Sequence, residues 1–150
     1  SSSPGARRGP VRFWDSSAVV PLLVEQRASS RVATWVAGDD TMVLWTLTPV
    51  EVVSALRRLV REKTLDEDVA RVAEARMDQL VDACHLIVDV EPVKSLAARL
   101  LRLHPLRAFD ALQLGAALLW AEGHPRGRMV HTLDTRLALA AQREGFVVPN

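Results

Sequence analysis

The sequence predicts an α/β fold with a parallel sheet and helices on both of its faces. Short apolar segments of strand length alternate with longer segments whose apolar residues recur at helical spacing. Serine, threonine or proline opens many of the longer segments, and glycine follows several of them, as expected at helix ends. A chain of 150 residues with 49% hydrophobic residues suits one domain with a well-filled core.

The strands and helices can be placed by these signals. Strands are expected at residues 11–14, 42–45, 86–90, 129–133 and 146–148. Helices are expected at residues 18–24, from Ser29 or Ser30 to a turn at residues 38–40, and at residues 48–63, 64–83, 92–103, 108–122 and 135–144. The strand at residues 42–45 is apolar throughout and is therefore expected to be covered on both faces.

Two of the predicted helices begin with a capping-box pattern, in which a glutamate follows a threonine by three residues. Thr48 and Glu51 form one pair, with a proline at the first helical position, and Thr64 and Glu67 form the other. We expect each threonine to cap its helix.

The predicted helix at residues 108–122 is apolar on nearly every face, which is typical of a buried helix. Phe109 and Leu112 belong to its apolar repeat. Asp110 lies in its first turn, where a buried charge is costly unless it has a partner or a metal ion. This residue is therefore a candidate for function.

Four acidic residues are expected to meet at one edge of the sheet. Asp15 and Asp134 follow predicted strands, and Glu51 and Asp110 lie in the first turns of helices. In an open parallel sheet these positions share one rim, where ligands bind. Grouped carboxylates repel each other unless a cation compensates, and their oxygens suit Mg²⁺ or Mn²⁺. A pair of such ions can activate a water and stabilise the leaving oxygen of a phosphodiester.

Each acid also has a purely structural interpretation. Asp15 suits a turn before a helix, and Asp134 suits an N-cap. Glu51 completes a capping box, and Asp110 favours the positive end of a helix dipole. Capping alone does not explain why four largely apolar segments carry acids on one rim, so both interpretations stay open at this point.

Composition narrows the class of protein. The net charge of +1 gives no overall attraction to nucleic acid, and the excess of arginine over lysine suits phosphate contacts or reflects genome composition. The single cysteine, Cys84, cannot form an internal disulfide, so a cytoplasmic location is expected. No apolar run is long enough to cross a membrane. Residues 1–10 lack the apolar segment of a secretion signal and are expected to be a flexible tail or a remnant, with the domain at residues 11–150.

Five short motifs follow one another in a recognisable order. They are Trp14-Asp15-Ser16-Ser17-Ala18, Thr48-Pro49-Val50-Glu51-Val52, Leu106-Arg107-Ala108-Phe109-Asp110-Ala111-Leu112, Thr132-Leu133-Asp134-Thr135-Arg136-Leu137 and Ala140-Ala141-Gln142-Arg143-Glu144-Gly145-Phe146. Each motif alone is weak, but their order and spacing together are specific. The chain resembles a PIN-domain nuclease, most closely the VapC toxins of bacterial toxin–antitoxin pairs, over nearly the whole domain.

The resemblance implies a three-layer α/β/α sandwich with a central parallel sheet of four to five strands. It also implies a Mg²⁺- or Mn²⁺-dependent endoribonuclease that cleaves single-stranded tRNA, rRNA or mRNA. By position, the four acids correspond to the family's acidic quartet, Thr132 to a polar residue at the site's edge, and Ser16 to the hydroxyl after the first acid. Family members act as homodimers, and a cognate VapB antitoxin silences them by laying a helical segment along the toxin's groove.

Other polar and aromatic residues have two interpretations. Arg107 suits a contact to RNA phosphate or a surface salt bridge. His131 is expected to point away from Thr132, because side chains alternate along a strand. Trp35 suits an antitoxin groove or the core, with the core favoured. The remaining histidines, expected to be exposed, are His85, His104 and His124.

Three other functions compete with that of a toxin nuclease. A PIN-like module that binds RNA or a partner without cutting would be expected to have lost acids, and the quartet is intact. A phosphoryl-transfer domain would need a second aspartate two residues after Asp15 or a lysine at a late strand end, and neither Lys63 nor Lys94 ends a strand. A house-keeping RNA-processing nuclease remains the alternative, although a compact single domain favours the toxin.

Overall fold

The computed structural model describes residues 11–38 and 41–150, and in these residues a parallel sheet lies between two layers of helices. The strands are β1 (Val11–Trp14), β2 (Thr41–Trp45), β3 (His85–Ile87) and β4 (Val130–His131). The helices are α1 (Ser16–Leu23), α2 (Ser29–Ala37), α3 (Thr48–Arg61), α4 (Glu67–Ala83), α5 (Val90–Leu103), α6 (Ala108–Trp120) and α7 (Thr135–Glu144). The predicted three-layer α/β/α fold is therefore confirmed.

The strand order is β3-β2-β1-β4, and all the pairings are parallel. Phe13 pairs with Val43 of β2 on one side and with Val130 of β4 on the other. The order of strands along the chain thus reverses beside β1, and a crevice is expected at the carboxyl end of this strand. Asp15 is the residue that follows β1.

The two faces of the sheet have separate cores, because side chains alternate along each strand. Phe13 and Val43 pack against α5, α6 and α7, and Trp14 and Leu44 pack against α1 to α4. Trp14 and Trp45 are fully buried, and Trp35 is buried as well, so the predicted place of Trp35 in the core is confirmed. Trp120 is only partly buried against the first core.

Several predicted element bounds are wrong by a few residues. The strand predicted at residues 86–90 ends at Ile87, because α5 already begins at Val90. The strand predicted at residues 129–133 is reduced to β4. The strand predicted at residues 146–148 is a single parallel bridge between Met129 and Val147, so the described sheet has four strands.

The prediction that Thr48 and Thr64 cap their helices is also wrong. The residue that caps α3 is Leu47, and the Thr48 hydroxyl instead accepts a hydrogen bond from the buried amide of Gln113. The Thr64 hydroxyl donates to the carbonyl of Leu59, and α4 begins only at Glu67. In both cases a longer-range or backbone partner outcompetes the local cap.

The histidine predictions are partly right. His131 is fully buried and faces the second core, where its ring stacks on Trp35 at 4.5 Å, so its orientation away from the site is confirmed. His85 and His124 are exposed as predicted. His104 is not exposed, in contrast to the prediction. Its side chain is 7% exposed, and its Nε2 donates to Glu144 Oε2 at 2.7 Å. Glu144, at the end of α7, therefore draws this histidine inward.

Among the described residues, no helix combines the length and apolar character needed to span a membrane. The expectation for residues 1–10 and the end of the turn at residues 38–40 lie outside the described part of the chain.

Candidate active site

Two adjoining clefts open beyond the carboxyl end of β1. The larger one, of about 430 Å³, lies between α1, α3 and the start of α6, and its lining includes Ser16, Glu51 and Asp110. The smaller one, of about 240 Å³, shares Arg107 and Asp110 with the first and adds Asp134. The structure thus brings three of the four predicted acids into one continuous surface depression.

The fourth acid, Asp15, lies beneath this depression and is 3% exposed. The parallel pairing of β1 with β4 fixes its backbone, since the Asp15 N–H donates to the carbonyl of His131 at 2.9 Å. Its Oδ2 accepts hydrogen bonds from Ser17 Oγ at 2.5 Å and from Thr132 Oγ1 at 2.8 Å. It also accepts from the Ser17 N–H and so caps α1. Capping and membership of the acidic site therefore coexist in this residue.

Glu51 is held from two sides in the first turn of α3. Ser16 Oγ donates to its Oε2 at 2.8 Å, and Gln113 Nε2 donates to its Oε1 at 2.9 Å. Gln113 is fully buried on α6, one turn after Asp110, and its Nε2 also donates to Thr48 Oγ1 at 2.9 Å. Gln113 is not among the predicted site residues, although an amide on an otherwise apolar helix next to a candidate acid is a usable signal.

Thr132 joins the two acids that follow strands. Its hydroxyl donates to Asp15 and accepts the Asp134 N–H at 3.1 Å. Asp134 Oδ1 accepts the Leu137 N–H at 2.9 Å and so caps α7, as its structural interpretation predicts. Ser17 supports the same corner, because its Oγ accepts the Leu133 N–H at 2.9 Å. Ser17 is a second residue whose role in the site was not predicted.

Asp110 lies in the first turn of α6, with its side chain at the junction of both clefts. Burial raises the pKa of Asp110, and Arg107, which precedes the helix, opposes this shift through its backbone N–H and its charge. Arg107 forms no ion pair within 4 Å with any described acid, so it is an exposed cation beside the acids.

Burial is the largest influence on the pKa values of Asp15, Glu51 and Asp110. Burial raises the pKa of Asp15 and of Asp110, and it raises the pKa of Glu51 to about 7. The hydrogen bonds from Gln113 and Ser16 oppose the shift at Glu51, whereas the neighbouring carboxylates increase it. None of the salt bridges among the described residues includes one of the four acids. Arg107 lies beside the acids without an ion pair, so the described side chains compensate the charge of the site only in part.

The donor atoms suit a hard divalent cation, although the described side chains form no closed cage. No group of three or more described acids, histidines or cysteines converges tightly enough to hold a metal ion alone. Mg²⁺ needs only one or two carboxylates, because it keeps several waters and takes further oxygens from a phosphate substrate. An open cleft lined by the carboxylates of Glu51 and Asp110 matches that requirement.

Comparisons with known proteins show which proteins this chain is similar to. No family model matches the chain. Two proteins of Mycobacterium tuberculosis are each 32% identical to it over 136 residues, which is 91% of this chain and 92% of each relative. They are named Ribonuclease VapC45, from strain CDC 1551 / Oshkosh, and Ribonuclease VapC49, from strain ATCC 25618 / H37Rv.

Solved structures share the fold at lower sequence identity. FitAcB from Neisseria gonorrhoeae matches with a TM-score of 0.65 and 20% identity over 93% of this chain and 96% of its own. PAE2754 from Pyrobaculum aerophilum matches with a TM-score of 0.62 and 19% identity over 96% of this chain and 92% of its own. VapBC2 from Rickettsia felis, bound to a DNA fragment from its promoter, matches with a TM-score of 0.60 and 10% identity over 93% of this chain and 98% of its own. These likenesses confirm the predicted PIN-like fold.

Proposed function

Because the chain belongs to the VapC family of ribonucleases, we propose that it is a metal-dependent endoribonuclease and the toxin of a toxin–antitoxin pair. The observation that carries the proposal is the meeting of Asp15, Glu51, Asp110 and Asp134 around two joined clefts, where none of the four forms a salt bridge with a described residue. Raised carboxylate pKa values in a cleft are typical of functional sites.

Glu51 and Asp110, which line the clefts, would hold Mg²⁺ or Mn²⁺, with Asp15 beneath them and Asp134 at the edge. When bound, such an ion lowers the pKa of a water nucleophile and stabilises charge on the phosphate. The chain's own groups set the geometry. Ser16 orients Glu51, and Thr132 holds Asp15.

Arg107 would bind a phosphate of the substrate. Its guanidinium is exposed in both clefts and is unpaired among the described residues, and arginine forms bidentate hydrogen bonds with phosphate. A cation at this position also offsets the repulsion between the acids and an RNA backbone. A single strand or a loop is the expected substrate, because an open groove admits a flexible strand more readily than a duplex.

The partners follow from the same family. Fold relatives include a toxin–antitoxin complex from Klebsiella pneumoniae, with a TM-score of 0.60. A cognate VapB-type antitoxin is the partner that we propose for this chain, and a homodimer is its proposed assembly. The relatives' names favour the toxin over a house-keeping nuclease or a non-catalytic module.

The experiment that tests the proposal measures cleavage of a labelled single-stranded RNA in Mg²⁺, in Mn²⁺ and in EDTA. We expect cleavage in either metal and none in EDTA. Asp110→Asn should reduce the rate about 100-fold or more, because charge stabilisation around a metal contributes several kcal/mol. Asp78→Asn, the same change at an exposed position on α4, should leave the rate unchanged.

Two results would contradict the proposal. Cleavage that survives in EDTA would show that the acids do not act through a metal ion. Equal rates for Asp110→Asn and the unmodified chain would show that Asp110 has no part in the reaction.

A further inference from the structure

Phe109 lies outside the core, in contrast to the prediction that it belongs to the apolar face of its helix. It is 52% exposed, whereas most of α6 is buried. It lines the larger cleft together with Asp110, the next residue along the helix. An aromatic ring therefore stands on the wall of the candidate active site with about half of its surface open to solvent.

The surroundings of Phe109 combine a small apolar wall with two free cations. Val50, which is 60% exposed, lines the same cleft from the start of α3. Arg58, two turns further along α3, and Arg107 also line it. Both arginines are exposed, and neither forms an ion pair with a described acid.

This combination matches the chemistry of a single nucleotide. A nucleobase offers a flat π-face that stacks on an aromatic side chain, and each nucleotide adds a negative phosphate. Arginine pairs with phosphate and is enriched where such recognition matters. Lysine or arginine alone would also suit any anion, but the exposed ring beside them selects a ligand that is both aromatic and anionic.

We propose that Phe109 stacks on one base of the RNA strand beside the cleaved phosphodiester, while Arg58 and Arg107 contact the phosphates that flank this base. The proposal rests on the nuclease function proposed above and adds a subsite to it. Phe109 is then a substrate-binding residue that positions the nucleotide before or after the cut.

The smaller cleft gives the strand a path away from this subsite. Its lining is polar and includes Arg107 and Arg136, with Asp110 between the two clefts. A strand that crosses Asp110 would therefore pass from the side of Phe109, where a base binds, to the side of Asp134, where Arg107 and Arg136 can contact a phosphate. Arg107 contacts both sides.

An apolar protein segment is the other occupant that an exposed phenylalanine suits. A segment of that kind would gain from any apolar side chain at position 109, whereas a stacked base needs an aromatic ring. The two arginines favour RNA, because Arg58 and Arg107 attract the phosphates of a nucleic acid, whereas an uncharged apolar segment gives them no partner.

The first test compares four versions of the full chain for binding to a fluorescein-labelled single-stranded RNA decamer in EDTA, where no cleavage is expected. They are the unmodified chain, Phe109→Ala, Phe109→Leu and Phe109→Trp. We expect Kd to rise about tenfold in both Phe109→Ala and Phe109→Leu and to be restored in Phe109→Trp. Leu103→Ala, at a position that is 59% exposed and outside both clefts, is the matched control and should bind normally.

The second test scans a single abasic nucleotide along the same decamer. One abasic position should weaken binding to the unmodified chain, and this loss should vanish in Phe109→Ala, because the two changes remove one shared contact. In Mg²⁺, Phe109→Ala should raise KM while changing kcat little.

Two results would overturn the inference. Unchanged Kd and KM in Phe109→Ala would do so while leaving the nuclease intact. Full activity in Phe109→Leu beside a loss in Phe109→Ala would show a generic apolar contact, as a protein segment would make. If the unmodified chain cut no RNA but the abasic loss still depended on Phe109, the nuclease proposal would fail and the base-binding subsite would stand.

Discussion

Replacing Gln113 by leucine tests whether this residue supports the active site or the stability of the fold. Gln113 Nε2 donates to Glu51 Oε1 and to Thr48 Oγ1, each at 2.9 Å. Gln113 Oε1 is buried and has no partner among the described residues. The leucine side chain has a similar size, so it removes both donated hydrogen bonds together with the unpaired oxygen.

The expected change in unfolding free energy is small because two contributions oppose each other. The hydrogen bond to a neutral hydroxyl contributes about 1 kcal/mol, and the one to a carboxylate about 1.5–3 kcal/mol. Removing a buried, unpaired acceptor returns about 1–3 kcal/mol, and leucine gains from apolar burial. The buried Thr48 hydroxyl loses its donor, so we expect the unfolding free energy of Gln113→Leu to lie about 1–2 kcal/mol below the unmodified value.

The expected change in function is larger. Gln113 is the strongest of the hydrogen-bond partners that hold down the pKa of Glu51, so its loss raises that pKa further. Residues that orient a metal-binding group typically change metal affinity or activity about 10- to 100-fold when mutated. We expect Mn²⁺ affinity and the cleavage rate to fall by that factor.

Two measurements check this prediction. Urea unfolding in EDTA reports the stability, and calorimetric titration with Mn²⁺ reports the affinity. Gln79→Leu makes the same chemical change at an exposed position on α4 and should alter neither quantity. A loss of more than about 3 kcal/mol in stability with unchanged Mn²⁺ affinity would refute the reasoning, since Gln113 would then support the fold alone.

The remaining predictions concern the core. Burial lowers the pKa of His131 to about 4, so this residue is neutral in the fold while the unfolded chain binds a proton below about 6.5. The free energy of unfolding should therefore fall as pH decreases from 6.5 towards 4. Between pH 7 and 4.5, urea unfolding in EDTA should show that the unmodified chain loses about 2.5 kcal/mol relative to His131→Phe. A difference between the two chains that does not change with pH would contradict the neutral state of His131. At Gly115 an added Cβ would lie 3.1 Å from the Val93 carbonyl oxygen and 3.3 Å from the Ala97 nitrogen, both in α5. Gly115→Ala should therefore lower the unfolding free energy by about 1–2 kcal/mol, since overpacking outweighs the gain in helix propensity, and an increase would mean that α5 yields easily.

The positions of the four acids could be predicted because they depend on local signals. Asp15 and Asp134 follow apolar strands, and a parallel sheet brings such positions to one rim. Glu51 and Asp110 were identified as first-turn residues, which the structure bears out. The resemblance to known motifs added the order of these elements, which local patterns do not contain.

The residues that hold the acids could not be predicted from local patterns. The Thr48 pattern indicates a cap, but its actual partner, Gln113, lies 65 residues away. His104 sits before a proline at the end of α5, which indicates exposure, yet Glu144 from another helix pairs with it. Phe109 fits an apolar helical repeat and is nevertheless exposed, because α6 begins at the rim of the cleft rather than inside the core.

The pairing of the first strand with the fourth has a consequence for how the protein acquires activity. Thr132 and Asp15 touch across 117 residues of chain, and β4 can join β1 only after the intervening elements have been synthesised. Contacts of such long sequence separation form late, since closing a large loop costs entropy before any contact repays it. The corner that joins Asp15 to Asp134 is therefore expected to assemble in the last steps of folding. A nascent chain still on the ribosome would be unable to cut RNA until β4 and the start of α7 have emerged.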